Sequence, residues 1–228
     1  MEKGGLGDVD HEVVYSIIIV LYLVSFFSMI LFTAKVTGSD PTDPTVALER
    51  LHRYTVEKKS SMKPNFNPQD YMFHCDVCDT HVLKNTKHCG RCNRCTYEFD
   101  HHCVWVSNDI GLHNYIDFIR MLTAVFFTIV FQLIFCAYTL ANISDKTYID
   151  HDEDDDEKMV GLMKVDSLVA LNWATIVLSN CLIILDSYLL CFHFYLIKKN
   201  LSTYKHIRRK LKRRKSSIIR EVNQNQNN

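Results

Sequence analysis

The chain has 228 residues, a length that suits one medium domain or a small membrane protein. Its 26 basic and 26 acidic side chains balance, but residues 150–157 are almost wholly acidic, whereas residues 198–215 are strongly basic and contain no acid. The basic run lacks a pattern of interleaved aromatic residues, which argues against a nucleic-acid-binding protein. Beside an apolar helix, such a run fits anionic lipid headgroups.

Three segments are apolar and long enough to cross a bilayer, namely residues 13–36, 118–142 and 167–197. About 20 apolar residues span a hydrocarbon core of roughly 30 Å, and the first segment is apolar on every face, unlike an amphipathic helix of a soluble protein. These segments predict an α-helical polytopic membrane protein with three transmembrane helices.

The distribution of Lys and Arg predicts how these helices are oriented. The N-terminal residues 1–12 and the acidic loop 143–166 are expected on the lumenal side. The linker 37–70, the cysteine-rich region 71–116 and the basic tail 198–228 are expected in the cytosol, where reducing conditions keep thiols free. The predicted location is a multi-pass protein of the endoplasmic reticulum or Golgi, or of the plasma membrane.

The connecting segments carry weaker local patterns. Ser39–Pro44 predicts a turn, residues 47–59 a short surface helix, residues 60–68 a linker, and the polar residues 222–228 a disordered end. In the third span, Asp186 and His193 lie seven residues apart and therefore share a helical face. We interpret them as interhelical packing groups or as part of a hydrated helix end, because ionisable residues inside a span usually face the bundle or serve function.

Six of the nine cysteines lie in residues 71–116, a stretch predicted to form short strands and turns around metal. Paired Cys-x2-Cys spacings with interspersed histidines favour zinc over disulfides. If Cys103 and His101 are reserved for chemistry, five thiols and two imidazoles remain, and Asp109 supplies the eighth ligand that two structural zinc ions need. One arrangement groups Cys75, Cys78, His88 and Cys95 at one ion, and Cys89, Cys92, His102 and Asp109 at the other.

Other assignments remain open at this point. His113 could replace Asp109 as a ligand, whereas His74 and His81 are expected to be solvated. The thiol of Cys103, beside two imidazoles and a carboxylate, could be a zinc ligand or a nucleophile. Trp105 is expected to pack beneath the cysteine-rich domain.

The segment Asp100–Tyr115, DHHCVWVSNDIGLHNY, resembles the DHHC family of protein S-acyltransferases (palmitoyltransferases), whose pattern is DHHCxWVxNCxGxxNY. Asp40-Pro41 also falls where the family has Asp-Pro-Gly. The resemblance implies a transferase in which Cys103 accepts palmitate from palmitoyl-CoA, His101 is the base and Asp100 orients it. His102 then points into a zinc site, because neighbouring side chains of an extended segment alternate. Candidate partners of the coenzyme A phosphates are Arg91, Arg94, Lys84 and Lys87, which could equally be solvated charges.

The chain departs from the family pattern in four respects. Asp109 replaces a cysteine that ligates the second zinc, Thr42 replaces the glycine of Asp-Pro-Gly, and Lys205 replaces the glutamate of a Thr-Thr-x-Glu motif. The family usually has four spans, and the span before Asp40 matches its second. We expect truncation, a shortened form, or a partner or second copy that supplies the missing helix.

These features lead to two functional expectations. The first is a palmitoyltransferase that acts on proteins with cytosolic juxtamembrane cysteines, itself carries palmitate transiently, and binds no nucleic acid. The alternative is a catalytically weak relative that acts as a zinc-binding interaction module in the membrane.

Overall fold

The computed structural model describes residues 11–57, 71–147 and 155–226, which form five helices and six short strands. The helices are α1 His11–Gly38, α2 Pro44–Glu57, α3 Tyr115–Thr147, α4 Asp155–Lys198 and α5 Thr203–Gln226. The strands are β1 Tyr71–Cys75, β2 Thr80–Leu83, β3 Lys87–Cys89, β4 Arg94–Thr96, β5 His101–Cys103 and β6 Asn108–Ile110. Most of the predicted lumenal N-terminus, the linker residues 58–70 and the centre of the acidic loop, residues 148–154, lie outside the described residues.

Three helices are long and apolar enough to cross a membrane, over Glu12–Gly38 in α1, Tyr115–Asn142 in α3 and Val165–Lys198 in α4. They expose many large apolar side chains, as helices facing lipid do. The predicted fold class, a helical integral membrane protein with a cysteine-rich region of strands and turns, is therefore confirmed.

The helices extend beyond the boundaries that hydropathy predicts. α3 continues to Thr147 and α4 begins at Asp155, so much of the predicted acidic loop 143–166 is helical. α5 occupies the basic tail and continues to Gln226, although residues 222–228 were expected to be disordered. Hydropathy marks where the bilayer ends, but helical hydrogen bonds run from residue i to i−4 irrespective of side-chain polarity.

The described residues divide into two compact units. The first contains those up to Leu31 and those from Met121 to Leu190. In it, Tyr15 of α1 packs on α3, with its ring centroid 5.4 Å from that of Phe135. The second unit runs from Phe32 to Arg120 and resumes at Cys191, so it contains the cysteine-rich strands and α5.

The cysteine-rich region consists of three antiparallel hairpins, β1–β2, β3–β4 and β5–β6. They repeat every 14 residues, an internal repeat that the sequence analysis missed. The first strand of each hairpin ends in a His-Cys pair, followed by a four-residue turn whose last residue has positive φ: Asp79 (48°), Asn93 (47°) and Ser107 (49°). Short polar side chains tolerate this left-handed conformation better than most residues.

Asp43 organises the small core of the second unit. Its carboxylate is fully buried and accepts hydrogen bonds from the backbone N–H of Leu83 (2.9 Å) and of Thr45 (2.8 Å). Its own N–H donates to the carbonyl of Cys95 at 2.8 Å. The start of α2 is thereby fixed against two hairpins, and Val46 packs with Val82 and Cys95. The predicted surface helix at 47–59 thus begins at Pro44, and Thr45 and Val46 of its first turn are buried.

Candidate active site and metal centres

The first cluster of metal-binding side chains joins the first two hairpins. Cys75 and Cys78 flank the turn of the first hairpin, and His88 and Cys95 are cross-strand partners in the second. Nδ1 of His88 lies 3.4 Å from Sγ of Cys78 and 3.8 Å from Sγ of both Cys75 and Cys95. The structure therefore brings together the four residues that the sequence analysis grouped around one ion.

The second cluster repeats this arrangement one hairpin further along the chain. Cys89 and Cys92 belong to the second hairpin, and the cross-strand pair His102–Asp109 belongs to the third. Nδ1 of His102 lies 3.3 Å from Sγ of Cys92, 3.8 Å from Sγ of Cys89 and 2.9 Å from Oδ1 of Asp109. Asp109 thus occupies the place that Cys95 has in the first cluster.

Both clusters fit zinc by donor type and by their sulfur–nitrogen distances of 3.3 to 3.8 Å, while the His102–Asp109 distance of 2.9 Å is shorter. A tetrahedral zinc, with Zn–S about 2.3 Å and Zn–N about 2.0 Å, keeps its donors roughly 3.3 to 3.8 Å apart. The fully buried Asp109 also has its second oxygen satisfied, because Oδ2 accepts a hydrogen bond from Thr96 Oγ1 at 3.0 Å. A carboxylate held in this way can replace a thiolate without changing the charge of the site.

The hairpin repeat explains why Cys103 stands outside both clusters. Each cluster takes two thiols from one hairpin and two ligands from the next. Cys103 corresponds to Cys75 and Cys89, but Val106 stands where those hairpins have their second cysteine. The chain enters α3 at Tyr115, and the part of it that the structure describes contains no further hairpin to complete a third cluster. Cys103 therefore keeps the turn geometry of a metal-binding cysteine without the other ligands.

Cys103 is buried, next to His101 on the same strand. Burial opposes ionisation of the thiol, but hydrogen bonds from His101 and from the backbone N–H groups of Val106 and Trp105 outweigh it and lower the pKa of Cys103. The corresponding backbone groups, two and three residues on, hydrogen-bond Cys75 in the first hairpin. The same turn thus donates backbone hydrogen bonds to a thiol of the first metal-binding cluster and to the Cys103 thiol, which belongs to neither cluster.

The His101 imidazole lies between a carboxylate and the thiol. Its Nδ1 is 2.7 Å from Oδ2 of Asp100, which is 3% exposed. Burial disfavours the imidazolium, but the hydrogen bonds and charges of Asp100 and Cys103 prevail and raise the pKa of His101 to about 9. The three side chains can thus generate a thiolate and hold its proton on the ring.

The first turn of α5 positions the carboxylate of this group. The backbone N–H of Thr203 donates to Oδ1 of Asp100 at 2.7 Å, and that of Tyr204 donates to the Asp100 carbonyl at 3.1 Å. Burial raises the pKa of Asp100, yet the bonds from His101 and Thr203 lower it overall. In the sequence, Lys205 stands out only as a departure from the family motif, and no local pattern predicts that this turn lies beside Asp100.

His193 also lies beside this site, where it packs against α3 as expected of an interhelical packing group. Its burial excludes the other expectation, a hydrated helix end. Only 2% of His193 is exposed, and its ring centroid lies 5.9 Å from that of His101 and 5.1 Å from that of Phe118. Its Nδ1 is 3.1 Å from the hydroxyl of Tyr115. The available signal was an ionisable residue inside a span, which marks a functional position more often than not.

The four candidate phosphate-binding residues differ in their surroundings, and Lys84 is exposed. Arg91 is exposed at a hairpin turn, and Nζ of Lys87 lies 5.8 Å above the ring of Tyr204. The guanidinium of Arg94 is engaged instead, because it donates to Asp40 at 3.0 Å and to Asn108 at 2.8 Å. These contacts give Arg94 a structural role in joining the turn before α2 to the third hairpin.

The remaining candidates also have defined places. His74, His81 and His113 are exposed and lie outside both clusters, as expected for His74 and His81. Trp105 is 90% exposed, so the expectation that it packs beneath the domain is wrong. It occupies a turn position that points away from the hairpin in all three repeats, as Val77 and Arg91 are also exposed.

The chain is similar in sequence to known palmitoyltransferases and protein S-acyltransferases. The family model described as DHHC palmitoyltransferase matches residues 69–210, more than half of the chain. Palmitoyltransferase ZDHHC4 of Bos taurus is 34% identical over 123 residues, which are 54% of this chain and 32% of that protein. Protein S-acyltransferase 8 of Arabidopsis thaliana is 31% identical over 139 residues, or 59% of this chain and 30% of that protein. The chain thus matches about a third of the length of either relative.

Proposed function

The chain belongs to the DHHC palmitoyltransferase family, and on that premise we propose that it is a protein S-acyltransferase that works through an acyl-Cys103 intermediate. The observation that carries the proposal is the position of Cys103. It is a buried thiol outside both metal clusters, paired with His101, which is in turn bound by Asp100.

In the first step, the Cys103 thiolate attacks the thioester carbonyl of a fatty acyl-coenzyme A. A new C–S bond to Cys103 forms, and the bond to the coenzyme A sulfur breaks. His101 has taken the Cys103 proton and returns it to the departing coenzyme A thiolate, while Asp100 stabilises the imidazolium. Burial of the site limits competing hydrolysis.

In the second step, a cysteine thiolate of a substrate protein attacks acyl-Cys103. The acyl group moves to the substrate sulfur, and Cys103 is regenerated as a thiolate. Both bonds are thioesters of similar energy, so the chemistry is an exchange that needs a good nucleophile and no external energy source. The substrates are proteins that present a cysteine close to the membrane surface.

Two zinc ions would serve as structural centres in this proposal. Cys75, Cys78, His88 and Cys95 would hold one, and Cys89, Cys92, His102 and Asp109 the other. Bound zinc would fix the three hairpins against one another. Since His102 belongs to a cluster and its neighbours His101 and Cys103 do not, the metal would also fix the register of β5.

We place the hairpins and α5 on the cytosolic side, because Lys and Arg are concentrated there. The thioester on Cys103 would then form on the cytosolic side of the membrane. Arg91 and Lys87 remain candidates for the phosphates of coenzyme A.

The deciding experiment incubates the purified full chain in lipid nanodiscs with an alkyne-bearing palmitoyl-coenzyme A. We expect a hydroxylamine-sensitive label on the protein, with release of free coenzyme A. The label should vanish in Cys103→Ala and persist in the control Cys191→Ala, which removes an exposed cysteine. If zinc-loaded wild type with normal thermal stability takes no label, the chain is an interaction module and the proposal is wrong.

A further inference from the structure

α5 is an amphipathic helix whose apolar side is exposed. Tyr204, Ile207, Leu211 and Ile218 fall within an arc of roughly 60° around the helix axis. Ile207, Leu211 and Ile218 are 50%, 60% and 49% exposed, so within the described residues nothing covers them. An exposed apolar stripe of this kind on a helix indicates a surface that binds a partner or a membrane.

The rest of the helix surface is basic. Residues 205–215 contain eight Lys or Arg side chains and no acid. Lys210 and Arg214 flank the apolar stripe on one side, and Arg208 and Lys215 flank it on the other. Long basic side chains in these positions can keep their stems in an apolar layer while their charges reach the headgroups.

The start of α5 is held close to the end of a membrane-spanning helix. Only Lys199–Ser202 separate α4 from α5. These residues form a Schellman turn: Asn200 has φ 50°, and the N–H of Leu201 donates to the carbonyl of Leu196 at 3.0 Å. Ser202 then caps α5, since its Oγ accepts the N–H of Lys205 at 3.2 Å. The connection is hydrogen-bonded throughout, so α5 cannot drift far from the bilayer surface.

We infer that α5 binds the anionic leaflet of the membrane, with Ile207, Leu211 and Ile218 in the interface and the flanking basic residues on acidic lipid headgroups. Charge complementarity selects this partner over a neutral membrane, because each basic residue near an anionic surface contributes about 1 kcal/mol. We favour the membrane over an acidic protein as the partner of the apolar stripe, because α5 follows a membrane-spanning helix after only four residues.

Lipid binding would also affect the chemistry, a step that rests on the proposed function. The N–H groups that hold Asp100 belong to Thr203 and Tyr204, in the first turn of the same helix. A helix fixed on the membrane would keep that turn formed. Acidic lipid should therefore raise the rate at which Cys103 is acylated.

The test compares the full chain in nanodiscs of neutral phosphatidylcholine with nanodiscs that contain about 20 mol % phosphatidylserine. Hydrogen–deuterium exchange of the α5 amides reports binding without any need for activity. We expect exchange over residues 207–218 to be about tenfold slower in the anionic discs and to recover at high salt. Equal exchange in the two kinds of disc would overturn the inference.

Three triple variants test the assigned face. Substituting the stripe, Ile207→Ser with Leu211→Ser and Ile218→Ser, should abolish the protection, and undiminished protection would contradict the proposal. Neutralising the flanking residues, Lys210→Gln with Arg214→Gln and Lys215→Gln, should weaken it more than the matched control Arg209→Gln with Lys212→Gln and Arg213→Gln. Equal effects of these two triple variants would show that the assigned face is wrong.

Acylation of Cys103 in the same discs separates the two proposals. Slower exchange in anionic discs without any acyl label would support the lipid-binding helix and refute the transferase. An acyl label with equal exchange in both kinds of disc would support the transferase and refute the lipid-binding helix.

Discussion

Nζ of Lys205 donates a hydrogen bond to Oε2 of Glu98 at 3.0 Å. This ion pair joins the first turn of α5 to the segment that leads into Asp100. Oε1 of Glu98 accepts a second bond, from Nδ2 of Asn85 at 2.8 Å, so the carboxylate connects two hairpins to α5. Where the family has a glutamate, this chain therefore has Lys205, and Glu98 is its acidic partner.

The pair can be tested by reversing its charges. Lys205→Glu places two carboxylates together, and we expect the rate of acyl-Cys103 formation to fall about three- to tenfold, since a partly exposed pair is worth up to about 1 kcal/mol and like charges repel. The double variant Glu98→Lys with Lys205→Glu should return to near the wild-type rate. Lys199→Glu, an exposed lysine of the α4–α5 connection, is the control. A double variant no faster than the single one would show that the pair does not position Asp100.

Asp109 is expected to be needed for the second zinc ion. In Asp109→Ala the purified protein should contain one zinc instead of two, because a ligand of the second cluster is lost. Asp109→Cys should keep two, and should resist a chelator equally well or better, because thiolate is the softer donor. Elemental analysis after graded chelator treatment measures both. Two zinc ions in Asp109→Ala, or a sharp loss in Asp109→Cys, would contradict the ligand assignment.

Val106 distinguishes the third hairpin from the other two, which have a cysteine at the same position of the turn. In Val106→Cys the sequence regains a Cys-x2-Cys turn, and we expect added zinc to inhibit acylation by capturing Cys103. Chelator should reverse the inhibition, whereas wild type and the control Val106→Ala should be unaffected by the same zinc concentration. If Val106→Cys is no more sensitive to zinc than Val106→Ala, the third turn does not share the geometry of the other two.

His193 is expected to support the His101 ring. His193→Ala removes a buried ring from this contact and should lower the acylation rate about tenfold or more, because the surrounding groups can only partly fill the space. His193→Phe keeps a ring but loses the hydrogen bond to Tyr115, so it should lose less activity and should match Tyr115→Phe. Single-turnover labelling measures the rates, and an unimpaired His193→Ala protein would refute this positioning role.

Gly111 allows the third hairpin to approach the second. A Cβ at this position would lie 2.7 Å from Cγ2 of Thr96 and 2.7 Å from the carbonyl oxygen of Tyr97. Gly111→Ala should therefore destabilise the protein by about 1 to 3 kcal/mol. Gly90→Ala is the matched control, because nothing lies within 4 Å of its added Cβ. Thermal unfolding of the two variants in detergent compares them, and equal midpoints would contradict the expected clash.

Much of the site could be predicted because its residues are close in sequence. The two metal clusters draw on residues 75–109, where spacing alone limits which thiols and imidazoles can meet. The three spans were likewise evident from composition, because a bilayer requires long apolar segments. The helix ends could not be predicted from hydropathy. Hydropathy measures how well side chains suit an apolar environment, whereas a helix ends where its backbone hydrogen bonds end.

Local composition and spacing are enough to predict the membrane class and the grouping of the metal-binding side chains, but they leave open whether Cys103 is a metal ligand or a nucleophile. The folded structure is needed to show that Thr203 bonds to Asp100, that Lys205 pairs with Glu98 and that His193 packs on His101. These residues lie about 90 to 107 positions apart in the chain, and their proximity depends on how α4 and α5 return to the hairpins. Such long-range contacts arise from packing and hydrogen bonding of the folded chain, which no local pattern encodes.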